Sequence, residues 1–383
     1  MLAHDIATAF RQRFSTEPLL VRAPGRINLI GEHTDYNGGY VLPAAIDKEM
    51  YFAVALNQDN TIRLVAYDLN ESFQVAADAV QPSDTQWANY PLGVVAQLQR
   101  RGLVVPGFDC VFGGTVPAGA GLSSSAAVEC GMLFALNTLL QAHLQPLEIA
   151  QMGQAAEHEY AKVLCGLMDQ FASVFGRAGQ VVRLDCRSLD YEYFPFDTSV
   201  CRIVLCNSGV KHALASSEYN TRRQECEQGV AILRQHYPAI NTLRDVTLPQ
   251  LLAHQTELGP LLYKRCRYVL EENQRVEETC RHLAQGDLAA VGRLLYASHA
   301  GLRDDYEVSC LELDELVKIA QTTPGVYGAR MMGGGFGGCT INLVAAEHVA
   351  HFVQHMQASY RERLGLPLAT YEAIIVDGVG LIP

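Results

Sequence analysis

The chain has 383 residues, 49% of them hydrophobic, and a formal net charge of −12, which is enough length for two domains with a core each. The negative charge argues against a nucleic-acid or membrane-surface partner, and no apolar run reaches the length that crosses a bilayer. The first residues lack the basic start and apolar centre of a signal peptide, and eleven cysteines without a C-x-x-C pair read as reduced side chains in a cytoplasmic protein, not as bridges or zinc ligands.

The first informative segment is Val21 to Asn37. Val21-Arg-Ala-Pro-Gly25 precedes Ile27, Leu29 and Ile30, as at the end of a strand, and a polar run then carries Glu32, His33, Thr34 and Asp35 among Gly31, Gly38 and Gly39. Isolated loop charges are normally just solvated. Two carboxylates and an imidazole this close also match what sugar hydroxyls need as donors and acceptors, and Arg26 offers a fixed charge for phosphate. Strands are expected at Tyr51–Leu56, Ile62–Tyr67 and, from alternating apolar residues, Phe108–Val116.

A glycine- and serine-rich turn, Pro117-Ala-Gly119-Ala-Gly121-Leu-Ser123-Ser-Ser125-Ala-Ala127, then delivers the chain into a helix over 125–142. The unpaired N–H groups at such a helix start suit an anion. Gly119 and Gly121 allow close approach of the backbone, and Ser123 to Ser125 can cap the helix, contact phosphate or hold a metal. An ordinary strand–turn–helix with serine caps has the same pattern. No Gly-x-x-x-x-Gly-Lys-Ser/Thr occurs, which excludes a Walker-type loop.

Pro146 to Leu164 reads as a helix broken at Gly166, and a short helix ending at Gly176 follows, with Asp169 in its first turn. Glu157 taken alone reads as a surface glutamate. A strand is expected at Gln180–Asp185, a domain boundary opening at Arg187-Ser-Leu-Asp190, and a crossing between domains over 191–200. Beyond it come a strand at Cys201–Cys206, several helices between Glu218 and Thr322, and a strand–helix–strand over 339–376. Gly333-Gly-Gly-Phe-Gly-Gly338 formally contains G-x-G-x-x-G, but a strand-like run follows it, so it reads as a tight turn or a close approach to a ligand. This irregular order points to an α+β fold with the binding place in a cleft between halves.

Gly25-Arg26-Ile-Asn28-Leu-Ile-Gly-Glu32-His33-Thr34-Asp35-Tyr36-Asn37 resembles the N-terminal signature of galactokinases. Gly119 to Ala126 resembles the ATP-binding motif of the wider GHMP small-molecule kinases, and Arg330 to Gly338 their C-terminal motif. Gln86 to Tyr90, Gly166 to Gln170, Ser217 to Arg223 and Ser298 to Asp305 agree in family order, so the resemblance covers nearly the whole chain. It implies the two-domain α+β GHMP kinase fold, with an N-terminal domain over 1–194, a C-terminal domain over 195–383 and the active site in the cleft between them. It also implies transfer of a phosphoryl group from ATP to the anomeric hydroxyl of galactose, with Mg²⁺ as cofactor and no obligate protein partner evident.

Residue by residue, the resemblance implies that Asp169 accepts the proton of the sugar hydroxyl, and that Arg26 stabilises the transferring group and keeps Asp169 ionised. Glu32, His33, Thr34, Asp35, Gly166 and Tyr219 would bind galactose. Gly119, Ala120, Gly121, Leu122, Ser123, Ser124 and Ser125 would bind the triphosphate, Trp87 would lie near the adenine, and Ser125 and Glu157 would hold the metal. Met332 and Leu311 depart from the family pattern, where threonine and proline are common. An arginine beside Asp169 makes it a weak base, which suits a loose transition state in which the hydroxyl proton leaves late. Spacing alone does not bring Arg26, Glu32 and Asp169 together. The alternatives are a sibling kinase for N-acetylgalactosamine or another small alcohol, and a non-catalytic sugar and ATP sensor.

Overall fold

The computed structural model describes residues 2–117, 120–211 and 215–382. The first half is organised on a mixed six-stranded sheet. Leu19–Asn28, Pro43–Leu56 and Phe108–Gly114 are its antiparallel centre, and Thr61–Ala66 adds in parallel to Phe108–Gly114, with Glu71–Ala76 at the edge. The central strands are buried almost without alternation because both faces of the sheet are covered. Successive residues point to opposite faces. Phe52 and Val54 therefore pack with Leu133 and Leu136 of the helix Ser124–Leu140, while Ala53 and Val111 pack against Ile6 and Phe10 of the helix Leu2–Phe14.

A four-stranded antiparallel sheet underlies the second half, in the order Val326–Met331, Gly337–Ala345, Cys201–Lys211, Ala369–Ala373. Leu311–Thr322 and Val349–Leu364 cover one face through Leu316, Ile319, Phe352 and Met356. On the other face Ile203, Leu205, Ile341 and Leu343 share a core with Ile27, Leu29 and Ile30, so apolar packing ties the second sheet to the start of the polar loop. The last strand, Gly380–Leu381, returns to pair with Leu19–Asn28.

The strand expected at Gln180–Asp185 is present with those bounds. Residues 187–190, expected to open a boundary, are instead the turn of a hairpin. Leu189 N donates to Asp185 O at 2.8 Å and Asp185 N to Asp190 O at 2.9 Å, and Tyr191–Pro195 pairs back on Gln180–Asp185 instead of crossing. Serine and aspartate serve hairpin turns and linkers alike, so composition does not separate the two. The helix from Pro146 stops at Ala156, passes through a π turn at Glu157–Ala161 and ends on Lys162 at φ 62°. No described helix is long and apolar enough to cross a membrane.

Gly25 lets the central strand approach the serine turn. Arg26 N donates to Leu122 O at 3.1 Å, and a Cβ on Gly25 would lie 2.6 Å from that carbonyl oxygen. Gly25→Ala is expected to cost about 1–3 kcal/mol, as overpacking does, read as a lower urea midpoint at unchanged slope. An unmoved midpoint would contradict this close approach.

Candidate active site

Arg26 leaves the central strand with its side chain only 6% exposed. Its guanidinium grips Asp169 in a bidentate fork, Nε to Oδ1 at 2.8 Å and Nη2 to Oδ2 at 2.9 Å, and Nη1 donates to Gly121 O at 2.5 Å. Ser123 Oγ donates to Asp169 Oδ2 at 2.5 Å. One carboxylate thus joins the strand, the serine turn and the helix Met168–Phe175, in whose first turn it sits with favourable dipole placement. Burial opposes the charge on Arg26, but Asp169, then Glu32 and Asp35, outweigh it and raise the guanidinium pKa.

Asp169 faces a cleft of about 270 Å³ lined by Arg26, Glu32, His33, Asp35, Tyr219 and the turn Gly333–Gly335. Glu32 is buried, and its Oε1 accepts from Gly333 N at 2.8 Å and from the buried Arg330 at 3.1 Å. His33 Nε2 meets Gly334 O at 3.2 Å and Nδ1 meets the Tyr36 hydroxyl at 2.7 Å. Burial pushes the His33 pKa down to about 3; Gly334 opposes this, and Arg222 and Arg330 reinforce it. Burial, then the neighbouring Asp169, push Asp35 up to about 7 against the Tyr36 N–H and Arg26. Gly166 lies directly behind Asp35, since a Cβ there would stand 2.0 Å from Asp35 Oδ2.

Thr34 is a correction to the expected sugar contacts. Fully buried, its hydroxyl lies 2.8 Å from Gly31 O and 2.6 Å from Tyr40 O, so it ties the loop together and does not face the cleft.

The serine turn opens a second groove, lined by Gly121 to Ser125 on one side and Met332 and Gly334 to Gly338 on the other. Ser123 (φ 55°) precedes the helix, yet its side chain makes no cap hydrogen bond, which leaves the N–H groups of the helix start beside the groove without that partner. The groove continues into an apolar slot formed by Met50, Leu69, Trp87, Tyr90, Phe112 and Val128, with Ser124 and Ser125 at its end. Trp87 is fixed there by its Nε1 donating to Glu71 at 2.6 Å. Ala120 and Leu122 point their side chains into the core and have only backbone to offer a ligand. Gly119 lies outside the described residues.

Glu157 is not a surface residue. It is 6% exposed and accepts from Gln170 Nε2 at 2.7 Å, and the Cys165 thiol is 3.4 Å away. Burial, then Asp169, raise its pKa against a hydrogen bond from Ser125. The same Gln170 amide donates at 2.9 Å to Glu129, which is fully buried and has one oxygen without a hydrogen-bond partner. Among the described residues no lysine or arginine pairs with either carboxyl group. Carboxylate and hydroxyl oxygens short of positive charge are the hard donor set that fits Mg²⁺.

Sequence reasoning missed the Ser123–Asp169 bond, the Gly121 carbonyl on Arg26, and Arg330, Gln170 and Glu129. Signals were available for Glu129, the one charged residue of its helix, and for Arg330 and Gln170, which lie in motifs already matched. Of the two departures, Met332 is buried beside the groove, whereas Leu311 is 62% exposed at a helix start and touches nothing in the site.

Residues 8–56 match the galactokinase galactose-binding signature, residues 89–177 the GHMP kinases N terminal domain and residues 258–361 the GHMP kinases C terminal domain. A galactokinase of Roseiflexus sp. (strain RS-1) is 42% identical over 379 residues, covering 99% of this chain and 97% of its own. The crystal structure of Lactococcus lactis galactokinase complexed with galactose matches with a TM-score of 0.95 at 36% identity over all of both chains. Mevalonate kinase of Methanococcus jannaschii, at 17% identity and a TM-score of 0.66 over 94% of this chain and 99% of its own, shares the fold.

The raised Asp35 pKa has a consequence for stability. Between its ordinary value of 3.8 and about 7, the folded substrate-free protein holds a proton that the unfolded chain has lost. The resulting stability is complete below the lower value and disappears as pH rises through the upper one. Asp35→Asn is therefore expected to gain in Tm relative to the parent between pH 5 and pH 8 in thermal unfolding. A difference that stays flat over that range would contradict the assignment.

Proposed function

The chain belongs to the galactokinase family of GHMP kinases, and on that footing we propose how its residues divide the work of phosphorylating galactose. The reaction moves a phosphoryl group from ATP to the anomeric hydroxyl of D-galactose, giving galactose 1-phosphate and ADP, the first committed step of galactose catabolism. The observation that carries the assignment of roles is the Arg26–Asp169–Ser123 junction, which separates the cleft lined by Glu32, His33 and Asp35 from the groove at the serine turn.

Galactose occupies the cleft against Glu32, His33, Asp35 and Tyr219, with Gly166 holding Asp35 in place. Asp169 orients the C1 hydroxyl and accepts its proton as the oxygen–phosphorus bond forms. That is sufficient for a loose transition state, where positioning and electrostatics dominate. Arg26 uses three of its five N–H donors on Asp169 and Gly121 and keeps two for oxygens of the transferring group. The free amides of the helix start after Ser123, together with Gly121, Ser124 and Ser125, seat the phosphates, and the slot at Trp87 takes the adenine. Ser125 and Glu157 would hold Mg²⁺, whose chemistry when bound is to neutralise charge on the phosphate oxygens.

Residues 1–194 and 195–383 form two domains in this reading, with the final strand crossing back to the first, and the protein works in the cytoplasm. ADP production is expected with galactose and not with glucose, N-acetylgalactosamine or mevalonate; comparable rates with N-acetylgalactosamine would move the assignment to the sibling kinase. Asp169→Asn keeps the shape and one acceptor oxygen for Arg26 and Ser123, turns the other oxygen into a donor and removes the charge, and is expected to bind galactose by calorimetry while kcat falls about 10²–10⁴-fold. Arg26→Lys replaces a planar fork with a point charge and is expected to lower kcat in the same direct assay. Turnover near the parent level in both variants would remove the junction from the chemistry.

A further inference from the structure

A run of hydrogen bonds behind the sugar cleft is unused by the phosphoryl-transfer scheme. It passes from Gly334 O to His33 Nε2 (3.2 Å), from His33 Nδ1 to the Tyr36 hydroxyl (2.7 Å), on to the Tyr306 hydroxyl (2.8 Å) and to Cys226 Sγ (3.2 Å). Tyr306 and Cys226 are fully buried, so water does not enter the far end. The proton on each group follows from the near end. A carbonyl oxygen only accepts, so Nε2 carries the hydrogen. The buried ring is neutral, so Nδ1 accepts from Tyr36, Tyr36 accepts from Tyr306, and Tyr306 accepts from the Cys226 thiol. All donors point one way, toward Gly334.

Gly334 and Gly335 line both the sugar cleft and the groove at the serine turn. The same turn is held by Gly333 N on Glu32 at 2.8 Å and by Phe336 N on Val308 O at 2.8 Å. The segment carrying Tyr306 and Val308 is itself fixed, since Arg222 donates to Tyr306 O at 2.8 Å and to Glu307 O at 3.0 Å.

We propose that His33 is a positioning residue for the wall between the two substrate sites, and that Tyr36, Tyr306 and Cys226 lock it in the Nε2–H tautomer that holds Gly334. Whatever contact the ring makes with a sugar, its tautomer is set from behind. Tyr36, Tyr306 and Cys226 thereby influence nucleotide binding without lining either the sugar cleft or the groove. The coupling to ATP rests on the kinase reading; the tautomer does not.

Two measurements separate these parts. In the substrate-free protein with ¹⁵N-labelled histidine, two-bond proton–nitrogen correlation at pH 7 is expected to show His33 as a neutral Nε2–H tautomer, its signals identified by their loss in His33→Gln. An Nδ1–H tautomer or an imidazolium overturns the proposal. In steady-state kinetics Tyr36→Phe is expected to raise the KM for ATP about fivefold, the equivalent of one hydrogen bond, with kcat little changed. Tyr306→Phe leaves the Tyr36 donor in place and is expected to move KM less than twofold, and Cys226→Ser, which keeps a donor, not at all. A Tyr36→Phe protein with native circular dichroism and unchanged KM for ATP overturns the coupling, as does an equal effect from all three variants.

Discussion

The fork between Arg26 and Asp169 is the constraint on which the site depends. A buried guanidinium without its carboxylate would be left as an uncompensated charge, which is strongly destabilising, so the two are obliged to meet. Their meeting fixes the relation of three separate pieces of chain: a central strand, the turn before a helix, and the start of a shorter helix. Gly25 permits the close approach, the Gly121 carbonyl completes the arginine's coordination, and Ser123 adds a third donor to Asp169. Geometry that holds the fold together is therefore also the geometry that presents an oriented carboxylate and two remaining N–H donors to a cleft.

Around this junction the protein accumulates acid. Glu32, Asp35, Glu129, Glu157 and Asp169 converge in a chain whose net charge is already −12. Arg26 and Arg330 answer two of them. The others have raised pKa values because burial and one another disfavour their charge. Such a site attracts no anion at long range. In the proposed function nucleotide is held by local amides at the helix start and by a cation at Glu157 and Ser125, and a neutral sugar enters without a charge conflict.

Much of this was legible in the sequence. The strand Gln180–Asp185 lies where it is expected, the glycine cluster at 333–338 is a turn between two strands, one of the two readings its setting allows, and Asp169 sits in the first turn of the helix that follows the break at Gly166. Local spacing fails where partners are remote. Arg26 and Asp169 lie 143 positions apart, and nothing near Ser123 announces that its hydroxyl turns to Asp169 instead of capping its own helix. The helix Leu2–Phe14 escaped although Ile6, Ala7 and Phe10 are buried on one face at helical spacing. Thr34 shares the polar character of its neighbours but is held inward by two carbonyls, a distinction visible only in three dimensions.

The claim that Arg26 and Asp169 act as one unit is tested most directly by a double-variant cycle on kcat, using Arg26→Met and Asp169→Asn singly and together. Residues of one unit lose their effect once, so the double variant is predicted to turn over no more slowly than the worse single variant. Losses that multiply would mean two independent contributions, and the account of a single junction at the centre of the site would be wrong.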